Sequence, residues 1–232
     1  MSAVFKREFR SFFTSPIGYV VFAVLFYFSG TYFYQANMMA GMPDLAYVFS
    51  GLFTVVLFVL PLLSMRLLSD EKRQKTDQAL LTAPTGLTGV VIGKFLAALL
   101  VYALGIAITL VYAVVIALKV SPDWMVIIGN YLGLLMLGGL IIAIGIFISS
   151  LTESQLIAAL GTYAIVLLLW MIDSISATAE WVVSVIGFLS LQTRYTNFTN
   201  GLIGYNDVLF FLALQALFLF LTVRVLDRRR WS

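Results

Sequence analysis

The sequence predicts an all-α integral membrane protein with six transmembrane helices. Three observations carry that prediction. Of the 232 residues, 62% are apolar and only 11% are charged, whereas a soluble domain carries about 25% charge. Mean hydropathy is +1.03. Long apolar runs recur along the chain, separated by short polar connections. One crossing needs about 20 apolar residues, so six need about 120, which leaves roughly 110 for every loop and tail. No sizeable soluble catalytic domain fits in that remainder, and the composition excludes a disordered chain or a coiled coil. Backbone polarity in hydrocarbon forces the crossings to be helical, and the short alternating strands of a barrel are not seen.

The chain reads as a single transmembrane domain, 1–232, beginning with an amphipathic segment at 1–15. Phe5, Phe9, Phe12 and Phe13 fall on one face of a helix, with Lys6, Arg7 and Arg10 mainly off it. Such a helix is expected in the membrane interface, rings in the acyl boundary and cations among headgroups. Ser15 and Pro16 break it before the first crossing at 16–34. A cleaved signal peptide is disfavoured, because that apolar run is too long and no Ala-x-Ala follows it.

The second crossing is expected at 45–65, and a cytosolic segment at 66–89 follows it. Asp70, Glu71, Lys72, Arg73 and Lys75 form its charged run, which needs water. Thr76 can cap a short helix whose positive end Asp77 favours. Ala79, Leu80 and Leu81 give that helix an apolar surface, and Pro84 with Gly86 ends it. Exposed leucines between charged flanks suit docking to another protein as well as simple contact with lipid.

The third crossing is expected near 90–118, with Lys94 as an interfacial anchor at its start. Gly89 to Phe95 imitates a phosphate loop, but only three residues separate the glycines, and Phe follows the lysine instead of Ser or Thr. The fourth crossing, near 125–151, carries Gly129, Gly133, Gly138, Gly139, Ala143 and Gly145, which favour close helix packing within the chain. A polar turn at 149–155, containing Glu153 and Gln155, makes the fourth and fifth crossings an antiparallel hairpin. The fifth crossing covers 155–172 and the sixth 207–225. Between them, in an extracytoplasmic segment at 173–204, residues 181–191 are apolar but too short to cross, and are expected as a re-entrant or interfacial helix.

Twelve of the fourteen basic residues fall on one side of this topology, Lys119 and Arg194 being the exceptions. The positive-inside rule then places both termini in the cytoplasm, in parity with six crossings. Histidine and cysteine are absent. This excludes disulfides, zinc sites built on them and His-based acid–base chemistry. Asp173, Glu180 and Asp207 fall at the extracytoplasmic edge instead of mid-membrane, which weakens an ion-coupled carrier. The chain reads as non-catalytic.

Four motifs, in this order, carry a family resemblance. They are Lys6-Arg7-Glu8-Phe9 leading to Phe13-Thr14-Ser15-Pro16-Ile17-Gly18-Tyr19; Glu71-Lys72-Arg73 with Thr76 and Leu80-Leu81-Thr82-Ala83-Pro84; Gly93-Lys94-Phe95-Leu96-Ala97; and Ser149-Ser150-Leu151-Thr152-Glu153-Ser154-Gln155. The chain resembles the permease subunit of type-2 ABC exporters, in particular the gliding-motility-type branch. The resemblance implies six crossings, an interfacial N-terminal helix and a coupling helix between crossings two and three that seats in a separate ATPase. It implies that Glu71, Thr76, Leu80, Leu81, Thr82 and Pro84 face the ATPase, with Glu153 and Gln155 nearby. It also implies an ABC ATPase dimer as partner, holding the ATP and magnesium while this chain binds no cofactor. A second permease copy or paralogue would complete the passage, with a further membrane or extracytoplasmic subunit as an option. The setting is a bacterial inner membrane and its lipids; nothing points to nucleic acid. Family members often carry Gly where this chain has Lys75. The competing readings are an ATPase-coupled scaffold or mechanotransmitter without transport, and a small secondary transporter.

Overall fold

The computed structural model describes residues 2–75, 86–118, 121–176 and 190–230, with the side chains of 172–176 and 230 left aside. Every regular element among the described residues is helical. Helix α1 (Ser2–Thr14) ends at Ser15, whose extended backbone turns the chain so that Pro16 opens α2 (Pro16–Phe33). Proline suits that first position, since its missing N–H has no helical partner there. A π-helical turn, Tyr34–Met39, finishes α2. Asn37 then clamps the following loop, donating to Met42 O and Asp44 O at 2.7 Å each.

Helix α3 (Ala46–Ser64) runs almost unbroken into α4 (Arg66–Arg73) through a helical Met65. The charged run was expected in a solvated connection. The helix continues to Arg73: Leu67, Leu68 and Ser69 are buried, Arg66, Asp70, Glu71 and Lys72 are partly exposed, and Arg73 is exposed. Helices α5 (Leu87–Ile106) and α6 (Ile108–Ala117) form one path with a break at Ala107. Helix α7 (Trp124–Leu151) is capped by Asp123, which accepts from Met125 N at 3.0 Å. Helix α8 (Gln155–Ser176), the short α9 (Leu191–Thr199) and α10 (Tyr205–Arg230) complete the order.

Five helical stretches are long and apolar enough to cross a membrane: Pro16–Met39, Ala46–Arg73, Leu87–Ala117, Trp124–Leu151 and Tyr205–Arg229. The expected fifth crossing coincides with α8, whose apolar described part, Gln155–Met171, is shorter than these. Two expected elements lie outside the described residues: the coupling helix with Thr76, Leu80, Leu81, Thr82 and Pro84, and residues 181–189 of the apolar stretch after the fifth crossing. Lys119 and Glu180 lie outside them too. Past 189 a short helix does occur, but α9 begins where the expected one ends and is rich in polar side chains.

The centre of the bundle is α7. Its apolar window is 72% buried, against 17% for α10. It packs against α3, α4, α5, α8, α9 and α10. The glycines explain how one helix serves so many neighbours. A Cβ on Gly138 would come within 2.1 Å of the Tyr102 ring, and one on Gly133 within 2.8 Å of Phe198. A Cβ on Gly145 would strike Ser64 Oγ at 1.9 Å. The glycines of the fourth crossing therefore pack within the chain, where the absent side chains let backbones approach.

Candidate functional site

The basic end of the bundle holds a four-charge cluster assembled from three helices. Glu8 comes from α1, Glu71 from α4 and Lys94 from α5. Lys94 lies in the third turn of α5 and its side chain is only 1% exposed. Its Nζ sits 3.1 Å from Glu8 Oε1 and 3.0 Å from Glu71 Oε1, and donates to Leu67 O at 2.7 Å. Arg7 closes the group from outside, at 2.7 Å from Glu8 and 2.5 Å from Glu71. Two cations face two carboxylates, so the cluster is neutral.

This arrangement corrects the reading of Lys94 as an interfacial anchor. A lysine so close to a helix start ordinarily snorkels to the headgroups. Here the side chain turns inward because two carboxylates and a carbonyl oxygen replace its water. Withdrawing an ammonium from water costs several kcal/mol, which a single poor contact would not offset. For Glu8, burial opposes ionisation, but Lys94 and Arg7 outweigh it and hold the carboxyl below its ordinary value of 4.5.

Helix α1 is bound to the bundle by more than charge. Arg66 donates to Ser11 O at 3.3 Å and lies 5.0 Å above the Phe12 ring. Phe12 is fully buried within the protein. Phe5, Phe9 and Phe13 form a ladder, 6.0 Å and 5.1 Å between successive ring centres, and stay partly exposed. The predicted stripe therefore exists, but it serves the protein's own core as well as the surface. Lys6 and Arg10 remain exposed, whereas Arg7 is drawn into the cluster.

The turn between α7 and α8 reaches the same end. Gln155 donates to Asp70, and Lys72 donates to Leu151 O at 3.1 Å. Glu153 is exposed. The expected site residues Glu71 and Gln155 are thus both committed to contacts within the chain, where they tie α4 to its neighbours. Together, Arg7, Glu8, Arg66, Asp70, Glu71 and Lys94 border a cavity of about 340 Å³.

Helix α4 ends at a strained point. Lys75 adopts φ +56°, the left-handed region that favours glycine. Its N–H returns to Lys72 O at 3.1 Å, closing the helix end. The backbone thus explains why glycine suits this position.

Sequence reading missed the roles of Glu8 and Lys94. The available signals were a lone lysine inside an apolar run and a lone acid inside a basic aromatic helix. Only folding shows that the two answer each other.

Comparison with known proteins agrees with the geometry. The profile described as ABC-2 family transporter protein matches residues 2–231, nearly the whole chain. No match was found among curated proteins. The chain belongs to the ABC-2 transporter family, as an integral membrane permease subunit of an ABC transporter, a role that implies an ABC ATPase partner.

Proposed function

We propose that this chain is the membrane half of an ATP-driven exporter, and that the cluster around Lys94 transmits the ATPase stroke into the bundle. The observation that carries this reading is the cross-link between α4 and α5. The connection 76–85 leaves from α4 and enters α5, and Glu71 on the first helix holds Lys94 on the second at 3.0 Å. A push on that connection would move both helices together and take α1 along through Glu8. Gln155 and Lys72 would pass the same motion to the α7–α8 turn. A rigid, neutral, partly buried knot suits a lever better than a loose loop does.

In this reading α8 is the fifth of six crossings and α10 the sixth, and both termini face the cytoplasm of a bacterial inner membrane. Thr76, Leu80, Leu81, Thr82 and Pro84 dock on the ATPase, which carries the ATP and magnesium. Glu153, exposed on the turn, lies beside that dock. A second permease copy completes the passage, and this chain contributes packing and a docking surface, not covalent chemistry. The gliding-motility-type branch is our assignment from the motif order.

Co-purification with the ATPase tests this. Leu80→Asp combined with Leu81→Asp should abolish recovery of the ATPase while the permease stays in the membrane at normal level. Wild-type recovery of the complex would remove the docking assignment.

A further inference from the structure

The end of the bundle opposite Lys94 carries a small cavity that the coupling site does not use. Three helices meet there. Ser50 and Thr54 are one turn apart on α3, Gln192, Thr196 and Thr199 share one face of α9, and Trp170 comes from α8. Phe53 and Tyr195 form a buried floor, their ring centres 4.9 Å apart. The Tyr195 hydroxyl donates to Phe49 O at 3.0 Å, which fixes the floor. The cavity opens to the surface and has a volume of about 160 Å³, well under the roughly 300 Å³ at which drug-sized sites begin.

Its chemistry is unusual for an apolar bundle. No charged side chain lines it among the described residues. Arg194, on the same short helix, is engaged with Asp207 at 2.9 Å. The hydroxyls are largely acceptors: Ser50 donates to Tyr47 O at 3.0 Å, Thr196 to Thr193 O at 2.7 Å and Thr199 to Thr196 O at 2.7 Å. With those protons committed, these oxygens keep their lone pairs as acceptors. The Trp170 N–H is bonded to Gln192 Oε1 at 3.1 Å, so the indole is oriented and offers its ring. A hydrocarbon chain would offer the remaining acceptor positions of these oxygens no donor. Among the described lining residues an anion finds no cation and a cation finds no carboxylate.

We propose that this cavity binds one ring of an uncharged, hydroxyl-rich carbohydrate. Its O–H groups donate to the Ser and Thr oxygens, and an apolar ring face lies on Trp170. The ring could belong to a free sugar or to a glycolipid headgroup, which present the same chemistry. The proposal does not depend on the ATPase reading, so either can fail alone.

The test uses the full chain in phosphatidylcholine nanodiscs prepared without sugar detergents. One arm titrates methyl β-glucoside and methyl β-galactoside; the other incorporates a monoglucosyl diacylglycerol. Binding is read by calorimetry and tryptophan emission. A saturable response in the first arm identifies a free-sugar site, and one confined to the second a glycolipid site. The Thr54→Val/Thr196→Val protein should bind at least tenfold more weakly with an unchanged Tm. Ser50→Ala serves as the milder variant should that protein fail to fold, and should weaken binding measurably. No saturable response in either arm, unchanged affinity in the folded variants, or tighter binding of choline or inorganic phosphate would overturn the proposal.

Discussion

The ammonium of Lys94 lies 3.0 Å from the carboxylate of Glu71, although the whole connection between α4 and α5 separates them in the chain. Neither group would be stable alone at this depth. Each is a condition for the other, and Glu8 and Arg7 complete the balance. The cluster therefore behaves as one unit, and its members should respond to mutation non-additively.

Lys94→Met should destabilise the protein by about 3–5 kcal/mol, because it leaves Glu8 and Glu71 facing each other with only Arg7 between them. Adding Glu8→Gln and Glu71→Gln to Lys94→Met should recover most of the loss. Thermal unfolding of purified protein, taken through the mutant series, reads this directly. Equal and additive losses would show that the groups act separately.

Glu8 gives the cluster an acid limit. Its folded-state value lies below its ordinary 4.5, so its contribution is complete above 4.5 and is lost as pH falls through the folded value. Tm should stay flat from about pH 7 to 5 and drop below about pH 4.5. Glu8→Gln should remove that part of the acid slope while lowering Tm at neutral pH.

At Lys75, φ is +56°. Lys75→Gly should relieve the left-handed strain and raise stability by about 0.5–1 kcal/mol. Lys75→Val should lower it, since a β-branched side chain tolerates that region poorly. Tm of the two variants measured in parallel supplies the check.

Gly138→Ala should destabilise by about 1–3 kcal/mol through overpacking. The added Cβ would meet the Tyr102 ring at 2.1 Å, and Tyr102 cannot easily retreat because its hydroxyl donates to Leu134 O at 2.8 Å. Gly138→Ala with Tyr102→Leu should be better tolerated. Gly86, which has open space around it, provides a control by Gly86→Ala. Thermostability of the three proteins decides the matter.

Orientation can be read chemically, since the chain has no native cysteine. Met39→Cys should react with an impermeant thiol reagent added outside intact cells, and Met39 is well exposed. Gln74→Cys should react only after permeabilisation. The reverse pattern would invert the proposed topology.

Much of the molecule was legible in sequence because bilayer rules act on single segments. An apolar run of sufficient length becomes a helix whatever its neighbours do, so the placement of the first four crossings and of the last follows from composition alone. The Ser15–Pro16 break and the aromatic stripe of α1 follow from local backbone and periodicity rules. The glycines of α7 pointed to close packing, though not to which rings they admit. Sequence did not show that the helix resumes past Met65 to Arg73, because the charges of 66–73 spoke for a loop in water while Leu67 and Leu68 are buried in the bundle.

Composition, run length and motif order are enough to establish a helical membrane protein, roughly where its helices run, and which family pattern it carries. What the few charges do is settled by the folding of distant segments against one another. Lys94 read alone belongs at an interface, and Glu8 read alone belongs in water. The fold places both beside Glu71, from three helices far apart in the chain, and there the Coulomb attraction offsets desolvation that no single segment could overcome. Pairing of this kind depends on distance in space, which periodicity along one chain does not encode.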